Sequence, residues 1–325
     1  MSRVLTGDRP TGPLHLGHYF GTLVNRVRLQ RDGHELFVVV ADYQVLTDRD
    51  RPGELRTTVR DLVRDYLAVG VDPDDTVVFP HSAIPALNQL LLPFLSLVGM
   101  GELQRNPTVK NEIRYAGRDT VSGLMLIYPV HQAADILFCK GELVPVGRDQ
   151  LPHLELTRSI ARRFDERYGP VFPLPEALLG DAPVLPGLDG RKMSKSLGNA
   201  IALGDDRDTI AAKIRTARTD SDRVITFDPG ARPDVANLLR IAALSSGRTP
   251  EAVAAEVGDG GSAALKACTV EAVDGLLAPI RERREGITDE EISRVLKRGI
   301  GAATEIADAT LRQVRAAMGM DVVTL

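Results

Sequence analysis

The sequence predicts an α/β chain whose first part is a parallel sheet flanked by helices and whose second part is entirely helical. Three observations carry this. Short, continuously apolar, β-branched runs alternate with helix-periodic segments over residues 1–190, the pattern of strands buried on both faces and joined by helical crossovers. Glycine- and aspartate-bearing turns follow those runs. Beyond a Pro/Gly-rich stretch at 170–190, helical periodicity continues without a convincing strand.

The elements follow in order. Val4-Leu5 is the apolar part of a first strand, which runs into the turn Pro10-Thr11-Gly12 and a helix carrying Tyr19, Leu23 and Val27. Residues 35–41 (ELFVVVA) form a buried strand ending at Asp42. Within 54–69, Leu55, Val59, Leu62, Val63, Tyr66 and Leu67 share a helical face, and Gly70 is placed to end it. A strand at 76–80 (TVVFP), an apolar helix at 86–98, a helix beginning near Ala133, a strand at 142–147 (ELVPVG) and a helix from about Leu151 to Tyr168 complete the first part. Amphipathic helices then cover 233–247, 262–284 and 289–319. The expected division is 1–190 and 191–325, with the last helix packing back on the first part. Ligands of such sheets bind beyond the carboxyl ends of the strands. Gly7–Gly12, Asp42–Gln44 and Gly147–Gln150 all fall there, which predicts one shared site.

Composition narrows the class. The 325 residues are 43% hydrophobic and 26% charged with a net charge of −4, the acid excess lying in residues 1–190. That balance does not by itself suggest nucleic-acid binding. No apolar run is long enough to span a bilayer, since 90–100 is short and holds Pro93. There is no secretory leader pattern, and two cysteines make no disulfide framework. A cytosolic protein is expected. Neither a P-loop nor a Gly-x-Ser-x-Gly elbow occurs, and the glycines at 258–261 follow no strand.

Two segments carry chemistry. In Leu14-His15-Leu16-Gly17-His18, two of the six histidines flank a glycine at a helix start. Zinc would need further ligands that no Cys/His cluster supplies. Exposed N–H groups and the positive dipole end favour an anion there, and a glycine lets a nucleotide touch the backbone. Alone, such a pair is more often a structural feature of the helix start. Residues 190–199 (GRKMSKSLGN) set Lys192 and Lys195 in a glycine-bounded loop. By itself the loop is an exposed basic turn, or two cations that close over a polyphosphate.

Together HLGH, KMSKS, YPVHQAADIL (128–137) and VPVGRDQLPHLELTR (144–158) resemble the class I aminoacyl-tRNA synthetases, and among them the bacterial tryptophanyl enzymes, over almost the whole chain. The resemblance implies a Rossmann-type catalytic domain, a helical anticodon-binding domain and a homodimer using ATP with Mg²⁺, L-tryptophan and tRNA(Trp). It assigns His15, His18, Lys110, Lys192 and Lys195 to catalysis. It assigns Arg9, Thr11, Gly17, His18, Asp149, Met193 and Ser194 to ATP. Tryptophan falls to Leu5, Gln44, Tyr128, Gln132, Asp135, Val144, Val146 and Gln150. Asp135 is the indole N–H acceptor in this scheme, and Tyr128 and Gln150 meet the ammonium group. No residue of the protein is assigned to a metal.

Arg9, Gln44, Gln132 and Arg148 stand where Gln, His, Met and Glu are usual, as in a divergent second type. Arg9 and Gln44 therefore predict altered affinity for tryptophan mimics, including insensitivity to an antibiotic analogue. The rivals are a tyrosyl enzyme, against which Leu5 on the first strand argues, and a non-catalytic paralogue that binds tRNA or amino acid, against which the two intact loops argue. A small-metabolite nucleotidylyltransferase shares HxGH but not the rest.

Overall fold

The computed structural model describes residues 1–47, 53–116, 121–179, 185–191, 193–194 and 197–322. Five parallel strands form one sheet in the order β3-β2-β1-β4-β5: β1 (Arg3–Asp8), β2 (Glu35–Val40), β3 (Thr76–Pro80), β4 (Leu143–Val146) and β5 (Glu176–Leu179). The register of β1 on β2 runs from Arg3 opposite Glu35 to Asp8 opposite Val40. Successive side chains point to opposite faces. Val4, Leu36, Val38 and Val78 accordingly join one buried cluster, while Leu5, Phe37, Val39 and Phe79 join another. Both faces are dry, which is why these strands are apolar throughout.

Helices α1 (Leu16–His18) and α2 (Val24–Arg31), joined by a π-helical turn over Tyr19–Leu23, follow β1. α3 (Leu55–Ala68) connects β2 to β3. The apolar stretch expected as one helix at 86–98 is instead α4 (Pro85–Gln89) and α5 (Leu91–Leu95), separated at Leu90 with Pro93 inside the second. After α6 (Met100–Arg105) and α7 (Pro107–Ala116) comes α8 (Gly123–Leu137). This helix starts ten residues before the expected Ala133, because Ser122 caps it by accepting the Met125 N–H and the helix absorbs Pro129. α9 (Leu151–Tyr168) leads to β5, a strand inside the Pro/Gly-rich stretch where none was expected.

The remaining helices are α10 (Arg207–Arg215), α11 (Pro233–Ser246), α12 (Pro250–Val257), α13 (Gly261–Gly286) and α14 (Asp289–Ala317). Leu239, Leu265, Val273 and Leu277 belong to the same buried cluster as Val4 and Leu36, so apolar packing runs unbroken from sheet to helices. α14 lies along β3 at Gly299, where a Cβ would fall 1.9 Å from the Val78 carbonyl oxygen. Only glycine permits that approach. Farther along α14, Ala303, Ala307 and Leu311 enter the opposite cluster beside Phe79.

Candidate active site

Strand order reverses between β1 and β4, which leaves a crevice at their carboxyl ends. A cavity of about 290 Å³ opens there, the size of a small aromatic ligand. Leu5, Gln44, Tyr128, Gln132, Asp135, Val144, Val146 and Gln150 all line it, together with Arg9. These eight residues come from β1, the turn after β2, α8, β4 and the turn before α9. Leu5, Val144 and Val146 form apolar wall, and the polar groups converge on it. Arg9 reaches Thr47 at 3.4 Å, and Thr47 in turn donates to the Gln44 carbonyl.

Asp135 is 2% exposed and would be costly there without a donor. His81, at the end of β3 and fully buried, supplies one: its Nδ1 lies 3.1 and 3.3 Å from the two Asp135 oxygens. Burial opposes a second proton on His81, but the Asp135 carboxylate, and then Asp42, outweigh it and raise the imidazole pKa. His131, one turn before Asp135, stands edge-on to His81 with ring centroids 4.5 Å apart. Burial lowers its pKa, and its Nε2 meets Asn88 Oδ1 at 2.7 Å. Donor atoms of His81, His131 and Asp135 lie within 4.8 Å of one another, a grouping of potential metal ligands concealed by the distance in sequence of His81 from the other two. Hydrogen bonds engage both nitrogens of His81, Nε2 of His131 and the carboxylate.

Tyr128 is held from behind by His153, whose Nε2 lies 3.0 Å from the phenol oxygen. Burial depresses the His153 pKa to about 4, so that ring is neutral. A third buried group, Arg26 on α2, also lines the cavity and donates to Thr6, Asp8 and the Gly7 carbonyl. Burial would push the Asp8 carboxyl up, yet Arg26 and the Tyr66 hydroxyl hold it below its usual value. Sequence reading passed over His81, His131, His153 and Arg26. The arginine sits in NRVRLQR, where nothing distinguishes it from the two neighbouring arginines. His131 and His153 lie inside YPVHQAADIL and VPVGRDQLPHLELTR, which do not say what each ring faces, and His81 lies outside any motif.

The second half of the site is the start of α1. His15 caps the helix, its Nδ1 accepting the Gly17 N–H at 3.1 Å, while His18 Nδ1 accepts the His15 N–H at 3.2 Å. With Nδ1 an acceptor in both, each neutral ring carries its proton on Nε2. The structural role and the donor role are therefore compatible. A Cβ on Gly17 would fall 3.0 Å from the His15 ring and 3.2 Å from Met193 Sδ. Downstream of the lysine loop the chain pairs with this segment, Leu16 N–H donating to Ile201 O and Leu203 N–H to Leu14 O. Ser194 N–H donates to Asn199 Oδ1 within the loop, and Met193 reaches the HLGH side at Gly17. Lys192 and Lys195 lie outside the described residues. Thr11 closes a turn with its N–H on Arg9 O. Lys110 is exposed on α7, and that helix is tied to the turn bearing exposed Asp149 by Thr108 Oγ1 donating to Asp149 O at 2.9 Å.

This arrangement has known counterparts. Residues 1–278 match the family model described as tRNA synthetases class I (W and Y). The tryptophan–tRNA ligase of Treponema pallidum is 42% identical over 333 residues, covering 98% of this chain and 97% of that protein. That of Clostridium longisporum is 41% identical over 330 residues, with the same shares. Tryptophanyl-tRNA synthetase from Campylobacter jejuni, solved with ADP and tryptophan, superposes at a TM-score of 0.87 and 29% identity, covering 98% of this chain and 99% of that one. The chain belongs to the class I tRNA synthetases of the tryptophan and tyrosine group.

Proposed function

We propose that this chain is a tryptophan–tRNA ligase. It joins L-tryptophan to ATP, forming tryptophanyl-adenylate and pyrophosphate, and then passes the tryptophanyl group to tRNA(Trp). The observation that carries the reading is the convergence on one cavity of apolar wall from β1 and β4 with the buried acceptor Asp135. An indole fits apolar walls and offers one N–H to that acceptor. A phenyl ring would leave the carboxylate without that partner, which discriminates strongly without editing. Relatives above 40% identity are tryptophan–tRNA ligases, and the Campylobacter jejuni protein holds ADP and tryptophan in its crystal structure.

In the first step a carboxylate oxygen of tryptophan attacks the α-phosphorus of ATP in line. The bond from that phosphorus to the bridging oxygen breaks, and its electron pair leaves on pyrophosphate. The carboxylate is already ionised at neutral pH, so no general base is required; positioning and charge stabilisation supply the acceleration. His15 and His18 would direct their Nε2–H donors to the phosphates, with Gly17 giving the nucleotide clearance. Ser194, Lys110, Lys192 and Lys195 complete the polyphosphate grip, and Met193 and Thr11 bound the nucleotide. Asp149 takes the ribose. Mg²⁺ would arrive on the ATP phosphates and offset their charge. Tyr128 and Gln150 receive the ammonium group, and Gln44, Gln132 and Arg9 border the carboxylate. In the second step the terminal adenosine hydroxyl of tRNA attacks the acyl carbon and expels AMP.

Residues 191–325 form the tRNA-reading part, and the working form is a cytoplasmic homodimer. No helix among the described residues is long and apolar enough to cross a membrane. Amino-acid-dependent pyrophosphate exchange with full-length protein tests the reading. Exchange is expected with tryptophan and not tyrosine, followed by charging of tRNA(Trp). Exchange with tyrosine alone would move the assignment to the tyrosyl branch, and no exchange with either would make the chain a binding paralogue.

A further inference from the structure

Asp135 faces the cavity, but its orientation is set by a residue absent from the cavity wall. His81 is completely buried, and both its ring nitrogens are engaged. Tyr43 donates its backbone N–H to Nε2 at 2.9 Å. Nδ1 therefore carries a proton and shares it between the two Asp135 oxygens. Behind the ring, Asp42 Oδ1 lies 3.4 Å from Nε2 and accepts the N–H groups of Tyr43 and Ser82. The Tyr43 ring stacks on one side of His81, with centroids 5.5 Å apart, and His131 stands edge-on to it. Asn88 binds both the His81 carbonyl and the His131 ring, which fixes the two histidines together. Among the described residues, His81 is the hydrogen-bond partner of the Asp135 carboxylate. A carboxylate has about four lone-pair directions, and the His81 N–H occupies one side of this one while the cavity lies on another.

We propose that His81 is the positioning residue of the amino-acid site: it holds the Asp135 carboxylate in the orientation that accepts the ring N–H of a fused aromatic side chain, and thereby sets discrimination against side chains of the same shape without that N–H. The proposal rests on the reading of Asp135 as the indole acceptor. His81 does not touch the substrate. It acts by holding Asp135 in the one orientation that its shared Nδ1 proton favours.

The test compares tryptophan with benzothienylalanine, in which sulfur replaces the indole N–H, in pyrophosphate exchange by the full-length protein. The parent is expected to favour tryptophan. His81→Leu is expected to raise the KM for tryptophan about tenfold or more, the worth of one charge-assisted hydrogen bond. It should leave kcat, the KM for ATP and the KM for benzothienylalanine within about twofold, so that the preference collapses. His81→Asn, whose amide nitrogen can stand in the place of Nδ1, is expected to recover most of the preference. Should the leucine variant fail to fold, His81→Gln, which sets its amide one bond farther out, takes its place with the same expectations. Equal losses for both amino acids, or an unchanged preference, would overturn the role of His81. A parent that does not distinguish the two amino acids would instead overturn the assignment of Asp135, and the proposal with it.

Discussion

Protonation of His153 is predicted to destabilise the fold between pH 7 and pH 5, and the size of the effect follows from its surroundings. The ring is 1% exposed at the start of α9. Asn106 Oδ1 accepts the N–H groups of Thr108 and Val109, which turns its Nδ2 toward His153 Nδ1 at 3.4 Å. Nδ1 is thus an acceptor, and Nε2–H donates to the Tyr128 oxygen. A second proton would point at the Asn106 amide donor in a buried site, and burial accordingly lowers the pKa from 6.5 to about 4. As pH falls below 6.5 the unfolded ring binds a proton that the folded ring refuses until about 4, so stability drops through that window and the loss levels off below it. At pH 5 the loss from this group is about 2 kcal/mol. His153→Gln keeps a donor facing Tyr128 and cannot titrate. Urea unfolding of parent and variant at the two pH values isolates the group, since His131, His81 and the acids contribute to both. The variant is expected to lose about 2 kcal/mol less than the parent on going to pH 5. An equal loss in both proteins would refute the reasoning.

Two further substitutions probe the two halves of the site. Gly17→Ala puts a methyl 3.0 Å from the His15 ring and 3.2 Å from Met193 Sδ; it should raise the KM for ATP and slow exchange by about tenfold or more, while the KM for tryptophan and the melting temperature stay near those of the parent. Arg26→Met removes the 1%-exposed partner of Asp8, leaves a buried carboxylate with Tyr66, and should cost about 3–5 kcal/mol in thermal or urea unfolding; Asp8→Asn added to it should recover part of that loss.

The sheet is legible in the sequence because its strands are buried on both faces. Residues such as Phe37 and Val38 must both be apolar when each faces a different cluster. β5 is not legible for the opposite reason. Its residues, Glu176-Ala177-Leu178-Leu179, have helix-favouring composition and partly exposed side chains, and β4 imposes their strand conformation by pairing Leu143 with Glu176 through Val146 with Leu179. The expected start near Ala133 falls ten residues late because a proline inside a helix is disfavoured, whereas the Ser122 cap and packing of Val130 and Ala134 carry α8 across Pro129. The cavity wall was readable because whole motifs carry it. His81 stands outside those motifs, and His131 and His153 lie inside them without any sign of what each ring faces until the fold brings β3, α8 and α9 together.

The histidines then show what the fold adds to the motifs. Five of the six surround the two halves of the site, and in each the hydrogen bonds specify which nitrogen carries the proton. His15 and His18 use Nδ1 to cap the helix, which leaves Nε2–H as the donor. His153 directs Nε2–H to Tyr128, His131 directs Nε2–H to Asn88, and His81 directs Nδ1–H to Asp135. A ring nitrogen whose proton the hydrogen bonds assign is a one-way donor, and that directionality aims the phenol of Tyr128 and the carboxylate of Asp135 into one cavity. The arrangement carries a stability consequence of its own. Burial keeps His131 and His153 below their solution pKa values, so the same rings that order the amino-acid site withdraw stability as the medium turns acidic. His81, raised by its two carboxylates, works in the opposite direction and loses its contribution as pH climbs through its folded-state value. Order beneath the cavity is therefore greatest near neutrality, where a carboxylate nucleophile already needs no base.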